Sequence, residues 1–483
     1  MEEAHIAFVS TPGMGHIIPL VELAKRLITQ YSFTATLILP AFQDAGPVST
    51  AQNAFLQSHL PAGMDYLLLP PVPLHQLPPD ARPVTRMCRT MDLSLPALRE
   101  ALQSLMVAKT RRRLVALAVD LFSTGAFDVA DELGIMTCVF SPSAAFILSF
   151  TLYLPELDSS LQPCDEFRDL PTPVQIPGFS VPVHGKDLID PVQDRQDETY
   201  TWVLHHAKRL SLAQAIMVNS FNEAEQGAVK ALQESVPPVY LVGPLVRMDS
   251  SSNNNVVSGD DECLQWLDEQ PEKSVLFVSF GSGGTLSHQQ LIELALGLEM
   301  SEQRFVWVIR SPSENSSMAF FSTQDPGDPL SFLPEGFAQR IKNKVGVVVP
   351  NWAPQHQILS HPSTGGFLTH CGWNSILESI AYGMPLVAWP LYAEQKMNAL
   401  LLTDDLNVAL RPKASDENGL VGREEISRVV KGLMASEQGK KMREKMGYLK
   451  DAGLKAIGDE DGSSTKALDQ VVSIWKSKLA KTI

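Results

Sequence analysis

The stretch GGFLTHCGWNSILESIAYGMPLVAWP, residues 365–390, decides the fold. An apolar run, GGFLTH (365–370), gives way to a polar group: His370, Trp373, Asn374 and Ser375. A helix-like run follows, ILESIAYG, and then a second apolar run, PLVAWP (385–390). Strand, helix and strand in that order predict parallel strands with the polar group at a strand's carboxyl end, where α/β folds bind ligands.

Working outward, the same alternation runs through the chain. Strands are predicted at HIAFVS (5–10), TATLILP (34–40), YLLLP (66–70), LVALAV (114–119), MTCVF (136–140) and AIMVNS (215–220). After a gap come SVLFVSF (274–280), RFVWVIR (304–310) and VGVVVP (345–350), followed by the two runs already quoted. Runs that are apolar on both faces and separated by helices indicate parallel sheets covered on both sides. The pattern appears twice, so the fold class is α/β with two Rossmann-like, doubly wound domains. A chain of 483 residues is too long for one ordinary core and fits this count.

RMDSSSNNNVVSGDD (247–261) has nothing to bury and reads as the linker between a domain at 1–246 and one at 262–462. SPSENSSMAFFSTQDPGDP (311–329) reads as a long loop, and PPVPLHQLPPDARPV, near 70–85, as a Pro-rich one. The last 45 residues or so are expected to be helical, with a final helix at about 463–483 packing back on the first domain.

Composition bounds the partners. The chain is 44% apolar and 19% charged, as a globular protein is, and its net charge is −15. Nucleic acid and anionic membrane surfaces repel such a chain. The greasy stretch AAFILSFTLYL (144–154) is short of the roughly 18–20 residues a membrane span needs. The acidic N-terminus lacks the features of a signal peptide. Cys88, Cys138, Cys164, Cys263 and Cys371 match no disulfide or metal spacing. The expectation is a cytoplasmic protein without stable membrane insertion.

Three places could carry chemistry. STPGMGH (10–16) follows the first strand, and its Gly13 and Gly15 are expected to let the backbone turn tightly and lie close to a ligand before His16. A dinucleotide fingerprint would need a third glycine where Ile18 stands and an acid near Pro40 and Ala41, which counts against an NAD-dependent dehydrogenase. Asp120 leaves the fourth strand at the same edge as His16. Singly, His16 also reads as a turn cap and Asp120 as a helix N-cap. Together they read as a base and the carboxylate that orients it, without a serine or cysteine nucleophile. The third place runs from Trp352 to Gln395. Trp352 offers a stacking face for a flat base, and Asn374 and Ser375 sit at a helix N-terminus suited to anions. Glu378, one turn on, can hold ribose hydroxyls, and Glu394 and Gln395 can hold those of a sugar.

These 44 residues resemble the signature box of the plant family 1 UDP-glycosyltransferases, and the likeness extends from STPGMGH to WPLYAEQKMNALLL (389–402). It is strongest to the subgroup of hydroquinone and phenol glucosyltransferases. The resemblance implies the GT-B fold, two Rossmann-like domains facing across a cleft, the first for the acceptor and the second for the UDP-sugar. It implies His16 as general base and Asp120 as its partner. It implies donor contacts from Ser282, Trp352, Ala353, Gln355, His370, Trp373, Asn374, Ser375, Glu378, Glu394 and Gln395. Glu394 stands where the family usually has Asp, and Ser363 where it often has Ala. Met14, Phe122, Phe150 and Leu188 are the expected acceptor wall.

The implied reaction is an inverting transfer of glucose from UDP-glucose, as co-substrate, to a small planar aromatic hydroxyl of phenol, hydroquinone or indoxyl type. Larger flavonoid-type and nitrogen acceptors are the alternatives. Neither a metal nor another cofactor is expected, and the enzyme is expected to be a monomer. DED (459–461) has the spacing of metal-dependent transferases but reads as a solvated loop. A non-catalytic UDP-sugar-binding protein would share the box but lack His16 or Asp120.

Overall fold

The computed structural model describes residues 3–41, 47–73, 81–107, 112–247, 260–313, 327–342, 345–416, 419–458 and 460–480. They divide into two units: the described residues of Met1–Arg247 with those of Gly453–Ile483, and the described residues of Met248–Ala452. Most of the expected linker and of the loop at 311–329, and the middle of the Pro-rich loop, lie outside the described residues. The end of that Pro-rich loop is not loop: Pro83 opens the helix Pro83–Leu93, at the position where its missing N–H costs nothing.

The first unit holds strands β1 (Glu3–Val9), β2 (Thr34–Leu39), β3 (Met64–Leu68), β4 (Arg112–Asp120), β5 (Met136–Ser141), β6 (Ala215–Val218) and β7 (Val239–Leu241). They form one parallel sheet in the order β3-β2-β1-β4-β5-β6-β7. The central strands are buried on both faces, which explains their unbroken apolar runs. The helix Met14–Tyr31 covers one side with Ile17, Leu20, Val21, Ala24 and Leu27, an apolar stripe at helical spacing. On the same cluster lie Leu468, Val471, Val472 and Trp475 of the helix Ser463–Ala480. Trp475 is fully buried and donates its indole N–H to Cys138 Sγ at 3.3 Å.

The second unit holds β8 (Val275–Ser279), β9 (Arg304–Ile309), β10 (Gly346–Pro350), β11 (Thr364–Thr369), β12 (Leu386–Ala388) and β13 (Ala409–Leu410). All pair in parallel, in the order β10-β9-β8-β11-β12-β13. The helix Trp373–Tyr382 buries Trp373, Ile376, Leu377 and Ile380 and ends at Gly383, whose φ of 72° suits a glycine cap. The sequence reading missed β7 and β13, edge strands of three and two residues, too short to show a period. In each sheet the strand order reverses beside the first strand, between β1 and β4 and between β8 and β11. Loops diverge there and leave a crevice at the carboxyl edge. No disulfide joins any of the five cysteines.

Candidate active site

In the first unit the register sets Val9 beside Val119, so the chain leaves β1 next to Asp120. Asp120 is fully buried and uses both oxygens. Its Oδ2 accepts from Thr11 N at 2.7 Å and Thr11 Oγ1 at 2.6 Å, and lies 2.9 Å from His16 Nδ1. Its Oδ1 accepts from Phe122 N at 3.1 Å and Ser123 Oγ at 2.6 Å. Asp120 therefore ties its own turn with one oxygen and orients His16 with the other. Burial works against its charge, but the hydrogen bond and charge of His16, with Ser123 and Thr11, hold the carboxyl down at about 2. A carboxylate beside Nδ1 keeps the proton on that nitrogen. The His16 Nε2 has no hydrogen-bond partner among the described residues, and the side chain is 20% exposed. This is the geometry of a base with its lone pair presented outward.

The two glycines before His16 do not make the tight turn expected of them. Gly13 is the N-cap with φ of −167°, extended backbone open to any residue, and Gly15 lies in the helix Met14–Tyr31. A Cβ on Gly15 would meet nothing within 4 Å, and one on Gly13 only the His16 ring at 3.9 Å. Of the two, only Gly13 lies beside the imidazole, and it leaves that side of the ring uncovered.

Of the expected acceptor wall, Phe122 lies against His16, with ring centroids 5.7 Å apart. Met14 is half-buried and packs on the core. Phe150 and Leu188 are fully buried and present no surface to a ligand. Thr11 and Ser123 were not foreseen, although Ser123 stands three residues after Asp120, at capping distance.

In the second unit, His370 follows β11 at the switch point. Its imidazole sits between Gly281 and Gly372: added Cβ atoms there would lie 2.6 Å from its Cε1 and 2.5 Å from its Nε2. The left-handed turn into the helix falls on Cys371, with φ of 65°, and not on a glycine. Gly372 is needed for the close approach of the ring. Burial pushes His370 down to about 4, so it is neutral near pH 7. Ser282 is exposed on the neighbouring loop. Arg310, after β9, donates to the Gly281 and Ser282 carbonyls and pins that loop. A cation closing the apolar run FVWVIR was its overlooked signal.

Asn374 and Ser375 lie in the first turn of the helix Trp373–Tyr382. Gln355 Nε2 reaches Ser375 Oγ at 3.3 Å and Glu378 Oε2 at 2.5 Å, so these three side chains form one cluster. Trp352 is 61% exposed, which excludes a core role and leaves its indole open for stacking, while Ala353 is buried. Trp373 is only 3% exposed, so its ring packs in the core. Glu394 follows Ala393, another left-handed residue at φ of 57°, and its Oε1 accepts from Asn398 at 3.3 Å. Gln395 Oε1 accepts from the N–H groups of Leu391 and Tyr392, bracing its own loop. In the acidic triplet, Asp461 pairs with Lys466 at 2.9 Å, and Asp459 lies outside the described residues. Among the described residues no three His, Cys, Asp or Glu side chains gather as metal ligands, and no helix is long and apolar enough to cross a membrane.

Two doubly wound parallel units with polar groups at their switch points have the architecture of GT-B transferases that use nucleotide sugars. Residues 252–410 match the family described as UDP-glucoronosyl and UDP-glucosyl transferase. The chain is 56% identical to the hydroquinone glucosyltransferase of Rauvolfia serpentina over 99% of both chains. Among solved structures, it resembles a UDP-glucosyltransferase from Polygonum tinctorium capable of glucosylating indoxyl, in complex with 3,4-dichloroaniline. The TM-score is 0.88 at 48% identity, over 98% of this chain and 99% of that one. It also resembles Phytolacca americana UGT2 complexed with UDP-2-fluoro-glucose and pterostilbene: TM-score 0.86, 47% identity, covering 98% and 100%. The chain belongs to the plant family 1 UDP-glycosyltransferases, in the hydroquinone and phenol glucosyltransferase-like subgroup, and is an enzyme of that class with the GT-B fold.

Proposed function

We propose that this enzyme transfers glucose from UDP-glucose to the hydroxyl of a small planar aromatic acceptor of phenol, hydroquinone or indoxyl type. The observation that carries the mechanism is the Asp120–His16 hydrogen bond, with Nε2 left open. The first unit takes the acceptor, with Phe122 beside the base, and the second takes the donor. Trp352 stacks on uracil, with Ala353 beside the base, and Gln355 and Glu378 hold the ribose. Ser282, His370, Asn374 and Ser375 receive the diphosphate, and Glu394 and Gln395 the glucose. Trp373, whose ring is buried, offers its backbone N–H at the helix start.

The acceptor O–H gives its proton to His16 Nε2, and its oxygen attacks the anomeric carbon opposite the diphosphate. The bond from that carbon to the diphosphate oxygen breaks, and UDP leaves with the electron pair. One displacement converts the α-linked donor into a β-glucoside. Asp120 stabilises the imidazolium that forms, because its carboxylate is already ionised and buried beside it. Neutral donors and the N-terminus of the helix Trp373–Tyr382 stabilise the departing diphosphate, so no divalent cation is required. Five cysteines without a disulfide support a cytoplasmic enzyme. Nitrogen acceptors are a second reading, favoured by the dichloroaniline in the Polygonum tinctorium complex.

Incubation of phenols, indoxyl and anilines with UDP-glucose tests the proposal. A mass gain of one hexose with a β-anomeric proton coupling is the expected result. No hexose gain on any phenol, or a mainly α-linked product, overturns it.

A further inference from the structure

The Glu378 carboxylate has two side-chain neighbours, and the function proposed above uses only one. Gln355 Nε2 lies 2.5 Å from Oε2. His356 Nε2 lies 3.4 Å from the other oxygen, Oε1. Two consecutive residues at the start of the helix Gln355–Ser360 thus approach the two oxygens separately.

The His356 ring also stands edge-on to Tyr382, with centroids 6.3 Å apart and planes at 69°. Its Nδ1 is buried and has no partner among the described residues. A proton on Nδ1 would be a stranded N–H, which costs more than a bare lone pair. The proton therefore sits on Nε2, the nitrogen that faces Glu378. That matters because burial pushes the Glu378 carboxyl up, and the neighbouring His356 and the Gln355 hydrogen bond oppose it. A carboxyl that keeps its proton has lost half of its capacity to accept two adjacent hydroxyls.

We propose that His356 is a positioning residue for the donor's ribose: it keeps Glu378 ionised and turned so that both oxygens accept the 2′- and 3′-hydroxyls. The proposal rests on Glu378 being the ribose ligand. It assigns a role to a residue that the sequence reading passed over between Gln355 and the apolar run of the helix.

The test is calorimetric binding of UDP and of 2′,3′-dideoxy-UDP to the full chain. Wild type, His356→Ala, His356→Gln and Glu378→Gln are compared by the ratio of the two affinities within each protein, which cancels any loss of folded fraction. His356→Ala should lose about three- to tenfold in UDP affinity and under about twofold for the dideoxy nucleotide. His356→Gln, whose amide reaches where Nε2 does, should recover most of the ratio. Equal loss for both nucleotides, or a Gln variant no better than Ala, overturns the positioning role while Glu378 keeps its own. If Glu378→Gln leaves the ratio at the wild-type value, the ribose reading itself fails, and the role of His356 falls with it.

Discussion

Replacing His16 by alanine removes the base but leaves the acceptor's own ionisation, and that sets the size of the effect. A simple phenol has a pKa near 10, so at about pH 7 roughly one molecule in a thousand is phenolate. Without a base, only that fraction attacks. The loss in kcat/KM for the simple phenol should approach about 10³-fold, inside the roughly 10²–10⁴-fold a positioned base contributes. A phenol acidified by electron-withdrawing groups to a pKa of about 7 is half ionised, so its loss should shrink to a few-fold. Asp120→Asn keeps Nε2 but removes the charge that holds the imidazolium, so it should follow the same trend at smaller amplitude. The assay is kcat/KM for wild type and both variants across phenols of graded acidity, with folding checked by thermal melt. If His16→Ala loses the same factor on every phenol, His16 positions the acceptor and takes no proton.

Trp352→Ala removes an exposed stacking face and should weaken donor binding by roughly 1–3 kcal/mol, raising the donor KM and sparing the acceptor KM. An unchanged donor KM in a folded variant refutes the platform. Exhaustive EDTA treatment should leave turnover intact; a loss restored by magnesium or manganese refutes the metal-free mechanism. Asp120 titrates at about 2 where an ordinary aspartate does so at 3.8. A depressed carboxyl contributes stability above its ordinary value and loses it as the pH falls through the folded one. The unfolding free energy of wild type relative to Asp120→Asn should therefore fall by about 2 kcal/mol between about pH 5 and pH 2. A difference that stays constant in urea melts across that window counts against the His16–Asp120 coupling.

Much of this protein was legible in its sequence because the signals are local. Central parallel strands covered on both faces must be apolar along most of their length, so they announce themselves as runs such as HIAFVS and GGFLTH. The groups after those runs, His16, Asp120 and His370, fall at carboxyl edges by chain order alone. β7 and β13 were invisible because two or three residues carry no period. Which side chains meet was decided by tertiary structure. Thr11 holds Asp120 because the register of β1 on β4 brings positions 109 residues apart together, whereas Ser123, three residues on, closes the local turn. The same apolar letters became bare surface at Trp352 and sealed core at Phe150, Leu188 and the Trp373 ring. Composition states that a residue is apolar, but the side it faces is set by the neighbours packed around it. The left-handed turn at Cys371 and the glycines pressed on His370 follow the same rule: the local letters permit them, and only the assembled sheet edge requires them.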